Sequence, residues 1–359
     1  LKTTTPPCAF FVILSEAKND EKLTSANTSI PFACDNSPTE SKCHHLKPKT
    51  QNLISALPMR DVSRKFSTLR TATAQTSVIA SPTTIEQIRN KTVPKGDVLE
   101  IARTAALSGV KRCDELIPFC HSVPLDYCDI KYELQTDRVL IAASTKAVYK
   151  TGVEIEALLA AQLAAINLYD LLKTLDEKLE IGPTKLLEKK GGHTDYKEIF
   201  VPKLKVAILV SSDSTAAGKR KDKSGLIIRD RISQEDCEVV AYDILPDDQK
   251  KIAAWLKRQC ARKVDLIFTT GGSGLGPRDC TVEATKQVIE KEVPGISEAV
   301  RAHGRDRTPY AMLSRAVAGV RGKTLIINLP GSSRGAEESL DALLPGVLHA
   351  FNMMRGGGH

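Results

Sequence analysis

The chain has 359 residues, with 51 Lys+Arg against 43 Asp+Glu and a formal net charge of +8, a length that suggests two globular units and some tail at roughly 100–200 residues per domain. A hydrophobic share of 42% and a charged share of 26% exclude wholesale disorder, and no apolar run approaches the ~20 residues of a membrane span. Nine cysteines without a C-x-x-C pair exclude a zinc-ribbon or iron–sulfur signature and suit a cytoplasmic protein with reduced thiols.

Residues 1–60 are rich in Thr, Ser, Asn, Pro and Lys, lack periodicity and read as a disordered extension. Cys34, Cys43, His44 and His45 there have no ligand spacing, and acidic residues spoil a transit-peptide signature. The chain begins with Leu1, so its true start is open. A first domain is expected over 61–200, mixing helices and strands. Residues 97–112 read as an amphipathic helix, 127–134 and 138–144 as antiparallel strands joined at 135–137, and 156–174 as a long Ala/Leu helix. Gly191-Gly192 breaks the chain.

A second domain is expected over 203–356. Strands are predicted at 205–211, 238–245, 264–270 and 324–329, with helices at 248–262, 281–290 and 297–303 between them. Three of the strands are almost uniformly apolar, as strands covered on both faces should be. The pattern is that of an α/β doubly wound unit with a largely parallel sheet. Ligands of such sheets bind outside the carboxyl ends of the strands. All four predicted ends carry small, hydroxylated, acidic or glycine residues, among them Ser212 and Asp213, Asp247, the run 271–279, and Pro330, Gly331 and Ser332. A single polar cleft explains four such ends better than four ordinary turns.

The run Gly271-Gly272-Ser273-Gly274-Leu275-Gly276-Pro277 is neither a G-x-G-x-x-G nor a Walker A loop. Its amides are free to approach anionic oxygens just before a helix, Arg278 adds a cation, and Asp279 could hold Mg²⁺ or cap that helix. An anion site is favoured over a plain tight turn, and both readings stay open on spacing alone. Thr269-Thr-Gly-Gly-Ser-Gly-Leu-Gly-Pro-Arg-Asp279, with Leu245-Pro-Asp247, Ala311-Met-Leu-Ser-Arg315 and Ile327-Asn-Leu-Pro-Gly331, resembles the molybdopterin-binding family of molybdenum cofactor synthesis, and its adenylyltransferase branch in particular. The resemblance implies adenylylation of molybdopterin by Mg-ATP with release of diphosphate. Asp247 and Asp279 would hold Mg²⁺ or orient the attacking phosphate. Ser212, Asp213, Gly271, Gly272, Ser273, Gly274, Arg278, Ser314, Arg315, Pro330, Gly331 and Ser332 would bind pterin and ATP. The alternative is a pterin-binding scaffold without transfer chemistry.

In the first domain the residues alone give modest signals. Asp170 and Lys173 share a helix face and read as a surface pair; His121 reads as structural, and a nucleophilic Cys120 is disfavoured. Their combination says more. Lys95-Gly-Asp-Val98, Ile117-Pro-Phe-Cys-His121, Lys150-Thr-Gly-Val-Glu-Ile-Glu156, Leu168-Tyr-Asp-Leu-Leu-Lys173 and Lys189-Lys-Gly-Gly192 resemble cyclic pyranopterin monophosphate synthase. The resemblance implies a ferredoxin-like α+β subunit, active sites between subunits, and a cyclised GTP-derived triphosphate that yields the cyclic monophosphate and diphosphate. No cofactor is expected for this domain. Lys95 and Lys173 become the acid/base candidates, tuned by Asp170, and at least one should be partly buried. His121, Phe119, Cys120, Glu154, Ile155 and Glu156 would meet the substrate ring or move protons; Arg70, Lys189 and Lys190 would meet phosphates. Ser122 replaces a common Pro, and His193-Thr-Asp195 follows the glycine turn where a cation is usual, which weakens phosphate binding there.

The combined reading is a bifunctional enzyme of molybdenum cofactor synthesis. The pathway's radical step is excluded, because a C-x₃-C-x₂-C motif is absent. The two activities are not consecutive, so no handover between domains is expected. The charge divides as +2 for 1–60, 0 for 61–200 and +6 for 201–359, which places the excess where ATP and a pterin phosphate would bind. The run 219–223 suggests nucleic acid, but a 4% aromatic content is too low for stacking platforms. Small anionic metabolites, a homotrimer or hexamer, no nucleic acid and no membrane are the expected partners.

Overall fold

The computed structural model describes residues 58–357; the expected extension over 1–60 and its Cys/His residues fall almost wholly outside them. The first half runs β1 (Thr68–Ile79), α1 (Pro82–Arg89), α2 (Val98–Val110), α3 (Cys113–Leu116), β2 (Tyr127–Leu134), β3 (Arg138–Tyr149), α4 (Glu154–Leu172), β4 (Glu180–Ile181) and β5 (Lys185–Lys190). One antiparallel sheet forms in the order β2-β3-β1-β4, with β5 also on β1, and β1 pairs β3 from Thr68↔Tyr149 to Ile79↔Arg138. Side chains alternate across a strand. Ala72, Ala74 and Val78 of β1, with Val139, Ile141, Ala143 and Ala147 of β3, therefore form one buried face.

That face carries α4, whose Ala157, Ala160, Ala161, Ala164, Ala165, Leu168 and Leu172 are fully buried. Small side chains let α2 come close through Val98, Ala102, Ala106 and Val110. A Cβ on Gly109 would stand 2.4 Å from Leu163 Cδ1, so larger residues there would force the helices apart. At 19 residues and a mean hydropathy of 1.4, α4 is long and apolar enough to cross a membrane by composition. This corrects the expectation of no such run; the buried face of the helix packs in the core of this half.

The second half runs β6 (Leu204–Ser211), α5 (Asp213–Ala216), α6 (Ser224–Ile232), β7 (Cys237–Leu245), α7 (Gln249–Ala261), β8 (Leu266–Thr270), α8 (Thr281–Lys286), β9 (Lys291–Glu292), α9 (Pro294–Arg305), β10 (Ala318–Arg321), β11 (Thr324–Leu329), α10 (Ser333–Leu343) and α11 (Ala350–Met354). The sheet order is β7-β6-β8-β11-β10-β9. The first four strands are parallel, while β10 pairs antiparallel with both β11 and β9. The sheet is thus mixed. Val206, Ile208, Phe268 and Ile327 face α6, α9 and α10, while Ala207, Leu209, Ile267 and Ile326 face α7 and α8. Burial on both faces explains why these strands read as uninterrupted apolar runs.

The halves touch through a few polar contacts. Arg64 holds Asp341 at 2.8 Å and Glu337 at 2.8 Å, and within the second half Arg231 also reaches Asp341 at 2.7 Å. Phe200 meets Phe351 edge-on at 6.4 Å.

Candidate active sites

In the second half the strand ends converge as expected. Ser211 Oγ donates to Asp247 Oδ1 at 2.6 Å, and the Asp213 amide donates to Asp247 Oδ2 at 3.2 Å. The Asp247 amide returns a bond to Asp213 Oδ1 at 3.1 Å, and Arg278 pairs with Asp213 at 2.7 Å. Gly271, at φ +94°, passes so close to β6 that a Cβ would stand 2.1 Å from Ser211 O. Gly272, at φ +62°, lies against Asp247 Oδ1 and Thr281 Oγ1. Only glycine accepts both the left-handed backbone and these approaches.

The glycine loop is held by its own side chains. Gly276 N donates to Asp279 Oδ2 at 2.8 Å, and Arg315 grips Gly274 O at 2.7 Å and Asp279 O at 3.1 Å while pairing with Glu283. Arg315 is therefore a clamp on the loop and not a free cation. Asp279 does not cap α8, whose N-cap is Cys280; α8 is only 6 residues long, too short for the helix-terminal anion site its predicted length suggested. Ser332 caps α10, accepting from Gly335 N at 3.1 Å, and Pro330 O accepts from Thr270 Oγ1 at 2.7 Å.

Two cavities flank this loop. One of about 410 Å³ is lined by Ser273, Gly274, Ser314 and Pro330 with Val300, Tyr310 and Leu313. The other, of about 370 Å³, is lined by Ser212, Asp247 and Gly271 with Arg220, Lys221 and Lys223. Both are lined by Gly272, Asp279, Gly331 and Ser332.

In the first half the candidates separate into clusters. At the end of α4, Lys173 Nζ donates to Asp170 Oδ1 at 2.6 Å, and Lys95 Nζ reaches Asp170 O at 3.0 Å. The hydrogen bond and charge of Asp170 hold the Lys173 ammonium above its ordinary value, and Lys173 holds the Asp170 carboxyl below the usual range. Both lysines are exposed, so the expectation of a partly buried lysine is not met. They project from the turn before α2 and the end of α4, on the solvent side of the pair.

At the other end of α4, Glu154 meets Lys189 at 3.3 Å, and with Arg70 and Lys190 they line a cavity of about 520 Å³. Arg70 is anchored by Nε to Tyr149 O at 3.2 Å, and Lys190 pairs with Glu188. Gly191 N and Gly192 N both donate to Asp195 Oδ2, at 2.6 and 3.1 Å. Asp195 thus occupies both amides of this turn.

Behind the first turn of α4, Cys120 Sγ lies 3.6 Å from Glu156 Oε1. Burial raises both the Glu156 carboxyl and the Cys120 thiol. His121 Nε2 is 2.8 Å from Arg60 O, while Phe119 and Ile155 are exposed. Residues 154 and 170 are sixteen positions apart on α4, ~24 Å at ~1.5 Å per residue. One chain therefore does not bring Lys95 and Lys173 to Arg70, Lys189 and Lys190.

Two family profiles match the chain in tandem: the MoaC family over residues 59–192 and the probable molybdopterin binding domain over 207–350. A molybdenum cofactor biosynthesis bifunctional protein of Chlorobaculum tepidum is 40% identical over 301 residues, covering 84% of this chain and 96% of that one. The chain belongs to this bifunctional family. It serves molybdenum cofactor biosynthesis through its MoaC-like and MoaB/MogA-like domains. For the first half, a cyclic pyranopterin monophosphate synthase of Brevibacillus brevis is 42% identical over 135 residues, covering 37% of this chain and 84% of that protein. For the second, the molybdopterin biosynthesis enzyme MoaB of Thermus thermophilus aligns at 47% identity and a TM-score of 0.41, covering 43% of this chain and 97% of that one.

Within this bifunctional protein, sequence reasoning missed several residues of the sites. The basic run 219–223 counts in the sequence only as a nucleic-acid signal, yet Arg220, Lys221 and Lys223 line the cavity beside Asp247. The strand-end rule would have found them, because they follow the carboxyl end of β6. Asn328, buried, donates to Thr269 Oγ1 at 2.8 Å and Thr285 Oγ1 at 2.9 Å, tying β11 to β8 and α8 under the loop. Thr281 Oγ1 is buried beside Gly272 without a partner. Asn328 lies in the Ile327–Gly331 motif, but no local pattern gave it or Thr281 a role.

Proposed function

We infer that the first half is a cyclic pyranopterin monophosphate synthase acting on the cyclised GTP-derived triphosphate, and that the second adenylylates molybdopterin with Mg-ATP. The observation that carries the first reading is the convergence of Lys95 and Lys173 on Asp170. A βαββαβ order with β1 at the sheet's centre supports a ferredoxin-like unit over 61–200, followed by the second domain over 203–356. Ring opening and pterin closure need protons delivered at defined atoms. Lys173, kept protonated by Asp170, acts as general acid, and Lys95 is the second proton-transfer group. Arg70, Lys189 and Lys190 balance the charge of the phosphates and the departing diphosphate.

Because α4 separates these two groups of residues, a second copy of the chain completes each site. Exposed Leu69, Val148, Ile166 and Tyr169 offer it apolar surface, in keeping with a trimer or hexamer. Reduced thiols, six of them unpaired among the described residues, fit a cytoplasmic setting.

In the second half, the cavity with Val300, Tyr310 and Leu313 suits a planar pterin, and the one with Arg220, Lys221 and Lys223 suits a polyphosphate. Their shared glycine loop would bring the two together. Asp247, Asp279 and the unpartnered Thr281 hydroxyl are hard oxygen donors that fit Mg²⁺, which would neutralise phosphate charge. The chain's own part is positioning: Asp213 orients Arg278, and Arg315 holds the loop in shape. A non-catalytic pterin scaffold is the second reading, favoured by the engagement of both Asp247 oxygens with Ser211 and Asp213.

Mass spectrometry of products separates these readings. Lys173→Ala should abolish diphosphate release from the cyclised nucleotide and leave adenylylation intact, while Asp247→Ala should do the reverse. Adenylylation unaffected by Asp247→Ala, or either variant silencing both activities while folded, would overturn the assignment.

A further inference from the structure

Three soft or anionic donors that the synthase reading does not employ as a group meet behind the first turn of α4. They are Cys113, on the short helix α3; Cys120, in the loop that follows; and Glu156, on α4. One ligand atom from each lies within 4.8 Å of both others. Cys113 Sγ and Cys120 Sγ are 3.9 Å apart, and Cys120 Sγ is 3.6 Å from Glu156 Oε1. Around a tetrahedral zinc, with Zn–S ~2.3 Å and Zn–O ~2.0 Å, neighbouring ligand atoms stand roughly 3.5–3.8 Å apart. The two spacings match that frame. They do not match a disulfide, whose sulfurs must close to ~2.05 Å.

A second observation is independent of spacing. Glu156 is 2% exposed, and its Oε2 is buried without any hydrogen-bond partner. Burying a carboxylate without a compensating group is costly. The charges acting most strongly on the trio are those of Asp114, Glu154 and one another, all of one sign. Among the described residues, no cation is among the charges that act most strongly on the cluster. The three backbones are also held in place: Cys120 N bonds Ile117 O at 2.9 Å, Ile117 N bonds Cys113 O at 2.9 Å, and Glu156 sits in a 19-residue helix. Cys120, only partly buried, leaves a route for an ion to enter.

The geometry points to a site for one thiophilic divalent cation of the zinc class, held by Cys113 Sγ, Cys120 Sγ and a Glu156 oxygen with a fourth position open. Three protein ligands and one open position suit a metal that meets solvent or a small ligand. Where the synthase reading holds, the ion and the substrate ring compete for Cys120 and Glu156, so zinc acts as an inhibitor of that half. The inhibition rests on the synthase reading; the binding does not.

The test uses the full chain, reduced and metal-free, titrated with Co²⁺ and then Zn²⁺. One Co²⁺ per chain should produce a thiolate-to-cobalt charge-transfer band that Zn²⁺ abolishes by displacement. Cys113→Ser, at a residue outside the proposed substrate contacts, should weaken binding by more than about 100-fold, beyond the effect of losing a supporting residue, and leave synthase activity in metal-free buffer unchanged. Glu156→Gln should keep the two-thiolate band at reduced affinity, which covers the case in which Cys113→Ser folds poorly. Absence of the band, a band unchanged in Cys113→Ser, or loss of both thiols to a disulfide would each overturn the site. A bound ion that leaves turnover untouched would overturn the inhibition alone.

Discussion

Lys173 and Asp170 are side chains whose chemistry is set by each other. Asp170 raises the Lys173 ammonium and is itself lowered, through a hydrogen bond and its charge. Lys173 therefore stays protonated through neutral pH and loses its proton only on the alkaline side. Diphosphate release should hold steady across neutrality and fall at high pH. Asp170→Asn should move that alkaline limb to lower pH; a limb that stays in place would remove Lys173 from the role of acid. Asp176 illustrates the opposite setting. Burial opposes its ionisation, but the Ser81 and Lys178 amides, at 2.6 and 2.9 Å, outweigh it and hold the carboxyl at about 2. Relative to an ordinary carboxylate this is worth about 2 kcal/mol, present above roughly pH 4 and lost as pH falls toward 2. Asp176→Asn should thus unfold more easily in denaturant at pH 7 by about that amount, and the difference should vanish near pH 2.

At the scale of elements, the loop after β8 depends on backbone conformations that other residues cannot adopt. Gly271→Ala would place a Cβ 2.1 Å from Ser211 O at φ +94°. We expect a loss of about 1–3 kcal/mol and loss of pterin binding by calorimetry. Gly346→Ala, with open space and an ordinary φ, should change neither. The contrast tests whether close packing of the loop on β6, and not glycine as such, builds the cleft. This loop was legible as polar and glycine-rich, and its strand-end placement followed from the parallel-sheet rule. That Arg315 clamps it was not legible, because the clamp spans 41 and 36 residues to Gly274 and Asp279. Strand β1 and the short strands β9 and β10 also escaped prediction. Thr and Gln break the apolar alternation of β1, and strands of 2 and 4 residues are too short to show a period.

For the whole molecule, Asp341 is 10% exposed, held across the halves by Arg64 and within the second half by Arg231. Asp341→Ala would take an acceptor from both guanidinium groups, leaving Arg64 with Glu337. A cost of about 1–3 kcal/mol is expected, visible as a lower thermal midpoint, together with faster protease cleavage near residue 202, where the first half gives way to the second. An unchanged melt would mean that the ion pairs merely decorate the junction. The separate cores of the two halves suit independent chemistry, and the ~24 Å along α4 is the span that the proposed second copy would bridge.

Residue types and spacing marked most central strands and helices and the polar strand ends, and the resemblance of the motifs indicated the pathway. They could do so because these features are local: a period of two or 3.6, a strand end, a run of small residues. Tertiary structure decided how the pieces meet. It ran one strand of the second sheet, β10, against its neighbours, brought a basic loop to the cavity beside Asp247 and left Lys95 and Lys173 exposed. It also closed Cys113, Cys120 and Glu156 into one cluster across 43 residues of chain. Packing between distant elements sets these outcomes, and no window of sequence contains it.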